Sequence, residues 1–341
     1  RGERQMIGPL TRWGAGDTVR WFEERGVPLK TEDDGRIFPQ SDSSASIVDC
    51  LEAAAARAGV EIRLRSEVCR LERGGEGEWR ISLADGETLS SPTVLLASGG
   101  IRNGSGPRLA AAAGHRLVPA APSLFSLKIA DARIEGLAGV SVDPVAVSIP
   151  GTRFAAEGPC LVTHWGLSGP AILKLSARAA RFVAEREDSF ELKVNWCGGP
   201  GEEEVDARLQ EAASVFGARS VRRGLETLRL PARLWKRFLE SVGIEPETTW
   251  AGLKREPRRA LARLLADSRF AVEGKSMNKE EFVTAGGIEL GEVDFRRMES
   301  RLAPGLYFAG EVLDIDGVTG GFNFQAAWTT SRIAGEAAAQ P

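Results

Sequence analysis

The stretch GLYFAGEVLDIDGVTGGFNFQAAW, residues 305–328, constrains the fold of this chain more than any other segment. A compact apolar run ends in Gly310 and Glu311; a second acidic cluster, three further glycines and an Asn follow, and a small-residue helical pattern closes it. Strand, loop and helix in that order are the geometry of a ligand lying across the carboxyl end of a parallel sheet. Gly310 lets backbone approach a ligand closely, and Glu311 is placed to accept hydrogen bonds from hydroxyl groups. The free N–H groups that open the helix after Gly320 and Gly321 carry about half a positive charge and favour an anionic ligand edge. The competing reading is a glycine-rich loop that only joins a strand to a helix. On spacing alone, Asp314 and Asp316 read as solvated loop acids.

Composition sets bounds on the rest. With 341 residues, 43% of them hydrophobic and 27% charged, the chain is long enough for about two or three domains with real cores. A formal net charge of -3 gives no electrostatic reason to expect nucleic acid as the main partner, and the basic runs at 219–223 and 254–263 read as solvated helix faces. Cys50, Cys69, Cys160 and Cys197 form no C-x-x-C pair, so neither a metal site nor a disulfide framework is expected. There is no apolar run of about 18 residues and no signal-peptide core, which points to a cytoplasmic protein without a membrane partner. Arg1 opens a helix-like segment carrying Trp13, Val19, Trp21 and Phe22, more like the middle of a protein than a natural start, so a partial version of a longer chain is expected.

Residues 43–58 have a Ser cap and good helix formers, and Gly59 stops them. β-rich runs follow from Val60, separated by the Gly74-Gly75 and Asp85-Gly86 turns, and end in a buried strand from Val94 to Ala97. Short β-like runs then continue to about Trp165. Ser168 is a plausible N-cap for a helix with Pro170 in its first turn. Between Glu202 and Asp267 helical patterns are broken at Pro231, Pro246 and Pro257, and β signals return from Phe270.

Taken together, these segments resemble the bacterial YhiN/BaiN-type flavoproteins, NAD(P)/FAD-dependent oxidoreductases that include aminoacetone-oxidase-like enzymes. The resemblance rests on residues 305–328 and on GRIFPQSDSSASIVDCL at 35–51, VLLASGG at 94–100, GSGPRLAAAAGHRLVPAAPSLFSL at 104–127, THWGLSGPAILKLS at 163–176 and VTAGGIEL at 283–290, all in order. It implies an α/β fold of the two-dinucleotide-binding type: a Rossmann-like FAD domain (1–106 and 269–341) interrupted by a β-barrel-like insert (107–200) and a helical subdomain (201–268). It also implies that FAD is lined by Ala97, Ser98, Gly99 and Gly100, and by Gly310, Glu311, Asp316, Gly320, Gly321, Phe322, Asn323 and Gln325, with the backbone of Val68 reading the adenine. The family opens with a strand, a G-x-G-x-x-G turn and a helix. No such unit occurs here; the nearest pattern has Gly104 and Gly106 but Leu109 in the third position.

The resemblance places Arg36 and Ser41 near the flavin, where Arg36 would bind a carboxylate substrate; tying down a loop is the other reading. His164 is one of two histidines and a candidate for proton transfer, or else for fixing the turn before the helix, and Ser168 joins it as a substrate residue. His115, after a helix-stopping Gly, reads as a C-terminal cap. Cys50, Trp165, Trp196 and Trp328 default to core packing. The expected protein is an FAD-dependent oxidoreductase that passes a hydride between a small-molecule substrate and flavin N5, with NAD(P)H as electron partner. The helix after Gly321 would steady the anionic N1 and C2-carbonyl edge of the reduced flavin. The alternatives are an amine oxidase using oxygen and a non-catalytic flavin- or RNA-binding module.

Overall fold

The computed structural model describes residues 1–33, 35–75, 77–100, 105–186, 189–276 and 283–340; Gly104 lies outside them. The fold is mixed α/β and Rossmann-like, in two compact units, one from residues 1–121 and 283–341, the other from residues 122–282.

Unit 1 begins with α1 (Glu3–Arg12) and α2 (Ala15–Glu23). The helix is interrupted where Trp13 is extended and the Gly14 N–H turns to the Asp17 carboxylate at 2.9 Å. A hairpin of β1 (Leu29–Thr31) and β2 (Ile37–Pro39) leads into α3 (Ala45–Arg57). Gly59, at φ +73, ends that helix in the left-handed conformation the chain reversal needs. Ser44 stands at its N-cap, but its side chain accepts no helix N–H. The next six residues alternate like a strand, yet Val60, Ile62 and Leu64 are 55%, 60% and 82% exposed and form none. An alternating pattern becomes a strand only with a neighbour to pair with. A meander of β3 (Val68–Arg73), β4 (Trp79–Leu83) and β5 (Thr88–Ser91) follows, then β6 (Val94–Leu96), α4 (Gly106–Ala112) and β7 (Leu117–Ser123).

Unit 2 contains β8 (Ser126–Lys128), β9 (Ser141–Ser148), β10 (Ala155–Val162), β11 (Gly166–Ser168), α5 (Pro170–Ala184), β12 (Phe190–Asn195), α6 (Glu202–Phe216), α7 (Ala232–Ser241), α8 (Arg255–Ala266), β13 (Ser268–Val272) and β14 (Gly274–Ser276). Seven strands make one sheet in the order β13-β12-β9-β10-β11-β8-β14. This corrects the expectation of a barrel-like insert: among the described residues no sheet closes on itself. β13 and β14 hold the two ends of the order, and no pairing joins them among the described residues. Leu192, Val194 and Trp196 are fully buried, with the Trp196 indole N–H donated to Ser268 Oγ at 3.1 Å. Pro257 sits in the first turn of α8 without breaking it, because the N–H it lacks has no partner there in any helix.

The chain then returns to unit 1 with β15 (Val283–Ile288), β16 (Val293–Asp294), β17 (Glu299–Ser300), β18 (Leu306–Phe308) and α9 (Gly320–Ala338). β15 pairs with β7, and the order β16-β17-β18-β6 makes a four-stranded sheet whose last pair is parallel. Gly287 is required: at φ +149, a Cβ there would lie 2.4 Å from the Leu313 carbonyl carbon. Leu306, Phe308, Val312, Ile333 and Ala334 are buried and belong to the core on which this sheet and α9 pack.

Candidate functional site

The parallel strands β6 and β18 stop at the same level. Their register pairs Val94 with Leu306 and Leu96 with Phe308, and the Ala309 N–H continues it to the Leu96 carbonyl at 3.1 Å. The loops that follow therefore meet at the carboxyl end of the pair, the place where open α/β sheets bind ligands. There the Gly100 N–H donates to the Glu311 carboxylate. Glu311 is half-buried, and burial pushes its carboxyl above the ordinary value, with the Gly100 N–H pulling the other way. Thr284 stands behind Gly100, where a Cβ would come within 2.9 Å of Thr284 Oγ1. Gly310 takes φ +72 and gives its N–H to Thr330 Oγ1 at 2.9 Å, which ties the turn to α9.

The loop from Asp314 to Thr319 is held from inside. Asp316 is buried, with 3% side-chain exposure, and meets the Arg1 guanidinium at 3.3 Å, so it is not the solvated acid that spacing suggests. Asn323 accepts the Gly317 N–H on Oδ1 at 2.8 Å and donates from Nδ2 to the Thr319 carbonyl at 3.0 Å. Its amide is thus committed to the loop. Thr319 is extended at the N-cap of α9 and places no side-chain oxygen on the first helical N–H groups. Gly320 and Gly321 are exposed, and a Cβ on either would meet nothing within 4 Å. The mouth of a five-turn helix is therefore open to an anion. Phe322 and Phe324 stand out at 63% and 64% exposure, and Phe324 stacks on Trp328 at 5.7 Å. Gln325 donates to Thr329 Oγ1 at 3.0 Å.

Ala97, Ser98 and Gly99 precede Gly100 in the same loop, and the other sequence candidates are carried by other elements. Val68 opens β3, half-buried and paired with Leu83. Ala97 and Ser98 are exposed and Gly99 is half-buried at φ +74. Arg36 pairs with Glu32 at 3.0 Å and lies over the Phe38 ring, while Ser41 Oγ meets Ser46 Oγ at 2.7 Å. His164 and Ser168 belong to unit 2: His164 is exposed in the turn between β10 and β11, and Ser168 Oγ meets Ser126 Oγ at 2.7 Å. The structure thus brings Gly100, Gly310 and Glu311 together, and adds Thr284 and Thr330, which no spacing pointed to. Among the described residues no His, Cys, Asp or Glu group is placed to hold a metal, and no helix is long and apolar enough to cross a membrane.

Residues 1–337 match the family model for the HI0933-like protein Rossmann domain. The chain belongs to this family. Among HI0933-like relatives, a 3-dehydro-bile acid delta(4,6)-reductase of Clostridium scindens is 30% identical over 339 residues, 97% of this chain and 82% of that protein. A ribosomal RNA dihydrouridine synthase of Escherichia coli is also 30% identical over 339 residues, covering 96% of this chain and 79% of its own. The Haemophilus influenzae enzyme of the same name is 27% identical over 332 residues, 94% of this chain and 79% of its own. HI0933-like membership implies FAD binding and supports a flavin-dependent oxidoreductase reaction as the class of chemistry. The residues fit such a group: bare backbone at Gly100 and Gly310, an acceptor at Glu311 and an uncapped helix mouth at Gly320.

Proposed function

We propose that this chain is an FAD-dependent reductase that adds a hydride and a proton across a carbon–carbon double bond conjugated to a carbonyl, with NAD(P)H as the electron source. The observation that carries this reading is the Gly100 N–H on the Glu311 carboxylate at the carboxyl end of β6 and β18, with the open N-terminus of α9 in the same unit. Bound FAD supplies a two-electron carrier between the nicotinamide and the substrate.

The chain's own residues bind and orient. Glu311 accepts hydrogen bonds from cofactor hydroxyls, and the first amides of α9 steady an anionic ring edge where the low dielectric makes them count. Asn323 and Asp316 hold the loop that carries these amides. Val68 and residues 97–100 line the rest of the cofactor, with Phe322 against its ring. Arg36 and Ser41 are assigned to the substrate, although Arg36 must exchange Glu32 for it.

The choice of a conjugated double bond is supported by what the two relatives' names have in common. A 3-dehydro bile acid with unsaturation at 4 and 6 and a uracil ring both present an alkene activated by a neighbouring carbonyl. Hydride addition to such an alkene leaves a stabilised enolate, which a single proton completes.

A second reading places that double bond in RNA, as the two dihydrouridine synthases suggest. Residues 217–223 and 248–251 lie side by side through Trp250 N–H to the Arg219 carbonyl at 3.0 Å, which sets exposed Arg219, Arg222 and Arg223 near exposed Lys254 and Arg255. Arg258 is not available there, since Asp206 holds it in a two-point pair at 2.8 and 3.2 Å.

The test is the visible flavin spectrum of FAD-loaded protein under nitrogen. NADPH should bleach it, and a 3-dehydro bile acid, uridine or a uridine-containing RNA should restore it with a reduced product. Bleaching by an amine in place of NADPH, with the colour restored only by air and peroxide released, would replace the reductase by the oxidase.

A further inference from the structure

His115 is a buried titratable group that the proposed chemistry leaves unused. It stands between α4 and β7 with its side chain fully buried, and it joins several parts of unit 1. Its backbone N–H goes back to the Ala110 carbonyl on α4 at 3.1 Å. Ring Nε2 lies 2.8 Å from Ser300 Oγ on β17. The ring also meets Phe308, the last residue of β18, at 4.8 Å and nearly at right angles. Nδ1 faces the Glu292 carboxylate at 3.2 Å. Arg116 holds that carboxylate through its backbone N–H and its Nε, both at 2.9 Å, with Glu289 acting on Arg116 in turn. No charged group other than Glu292 acts on the ring among the described residues.

These contacts fit only an uncharged ring. A serine hydroxyl has one hydrogen to give and two lone pairs to receive. Ser300 Oγ already receives the N–H groups of Leu302 and Ala303 at 3.0 and 2.7 Å, so its own hydrogen goes to Nε2. A proton on Nε2 sets two donors against each other across 2.8 Å. The charged ring is then drawn to align Nδ1 with Glu292, and in turning it gives up Ser300 and its packing on Phe308.

The segment beyond Phe308 gives that movement a consequence. The Ala309 N–H bonds to the Leu96 carbonyl at 3.1 Å, the Gly310 N–H bonds to Thr330 Oγ1 at 2.9 Å, and Glu311 takes the Gly100 N–H. A second route runs through β15. There the Glu289 N–H bonds to the Arg116 carbonyl at 3.0 Å, Ile288 bridges to Leu313, and Thr284 stands behind Gly100. Both strands that border the Gly100–Glu311 contact are therefore fastened beside one imidazole.

We infer that His115 is a positioning residue for the cofactor end of unit 1: its neutral ring fixes the end of β18 that presents Glu311, and protonation of the ring loosens that end and weakens cofactor binding. The inference rests on FAD as the group bound there. Linkage makes it reciprocal, so bound FAD must lower the affinity of the ring for a proton by the same factor. Coulomb attraction from the FAD diphosphate acts in the opposite direction, and the sign of the effect separates the two.

The experiment pairs FAD titrations of the full chain, followed by flavin fluorescence from about pH 5 to pH 8, with proton NMR of the imidazoles with and without FAD. The chain has two histidines, and His164→Gln assigns the other signal. FAD affinity should fall about five- to tenfold as pH drops through the His115 titration, and bound FAD should move that titration to lower pH by the same factor. His115→Gln, uncharged throughout, should lose this dependence and keep only what Glu311 contributes; the NMR arm on the wild type needs no variant to fold. A His115 titration that FAD leaves in place or moves to higher pH, or a pH dependence that His115→Gln retains in full, overturns the inference and leaves the FAD reading standing. Failure of FAD to bind at any pH removes both.

Discussion

The backbone N–H of Gly100 points into the carboxylate of Glu311, joining the ends of two parallel strands that are far apart in sequence. Because burial outweighs this bond and raises the Glu311 carboxyl above 4.5, the folded protein holds that proton more tightly than the unfolded chain. The associated stability is complete below about pH 4.5 and is lost as pH rises through the folded-state value. Glu311→Gln should remove this part of the profile. Melting curves of both proteins from acid to neutral pH should therefore diverge as pH rises, with the wild type falling relative to the variant.

His115 predicts the opposite slope. Its Nε2 lies 2.8 Å from Ser300 Oγ, which already accepts the N–H groups of Leu302 and Ala303, so the serine hydroxyl donates to a neutral ring. Nδ1 approaches Glu292 at 3.2 Å without hydrogen-bond alignment, and burial holds the ring below the usual histidine value of 6.5. A depressed folded-state value means stability present above about pH 6.5 and lost as pH falls through the folded one. His115→Gln should flatten this acid limb in urea titrations taken at several pH values. An acid limb unchanged in the variant would assign it to other groups.

Asn323 should matter more than its place among exposed phenylalanines suggests. Asn323→Ala leaves the Gly317 N–H and the Thr319 carbonyl without their partners, a loss of about 1–3 kcal/mol. On the reading above it should also release FAD faster, whereas Phe324→Ala should alter stability less. Dialysis of FAD-loaded variants, followed by their visible spectra, compares the two.

Gly106 is set by space rather than by its backbone angles. A Cβ there would lie 1.8 Å from Ser98 Oγ and 2.5 Å from Ser98 Cβ. Gly106→Ala should cost about 1–3 kcal/mol by overpacking, and Ser98→Gly in the same chain should recover most of it. Additive losses in the double variant would mean that the two residues do not share this contact.

Two ion pairs that join α6 to α8 should differ sharply. Arg258 and Asp206 have side chains 14% and 16% exposed and bond at two points, so Arg258→Ala should cost about 1.5–3 kcal/mol. Arg263 and Glu202 are 70% and 39% exposed, and Arg263→Ala should stay within about 0.5 kcal/mol of wild type. Chemical denaturation of the two variants decides it.

Where local chemistry decides structure, the sequence was legible. Gly59 ends α3, Pro170 opens α5, and Cys50 and Trp196 are buried as their patterns imply. The glycine-and-acid loop after β18 was visible for the same reason, since Gly310 and Glu311 announce themselves by type. What failed depended on partners distant in the chain. Residues 60–64 alternate like a strand but have no neighbour, and the barrel-like insert that the resemblance implied is overturned by the strand order, in which β13 and β14 hold opposite ends. The His115 side chain caps no helix, though its N–H bonds back to the Ala110 carbonyl; a serine far along the chain takes the ring. Thr284 and Thr330 carry no local signature at all, because their roles exist only once Gly100 and Gly310 lie against them.

The parallel pairing of β6 with β18 also sets a timetable for the growing chain. β6 leaves the ribosome roughly two hundred residues before its partner, a wait on the order of ten to forty seconds at about 5–20 residues per second. Unit 2, continuous in sequence, is translated in full during that interval and can fold first. Gly100 meanwhile has no Glu311 to bond, so the end of unit 1 where they meet is assembled only after translation has passed β18. On the proposed function, cofactor supply then acts only after α9 has been made, and a shortage of it should show as slow maturation rather than as failed synthesis.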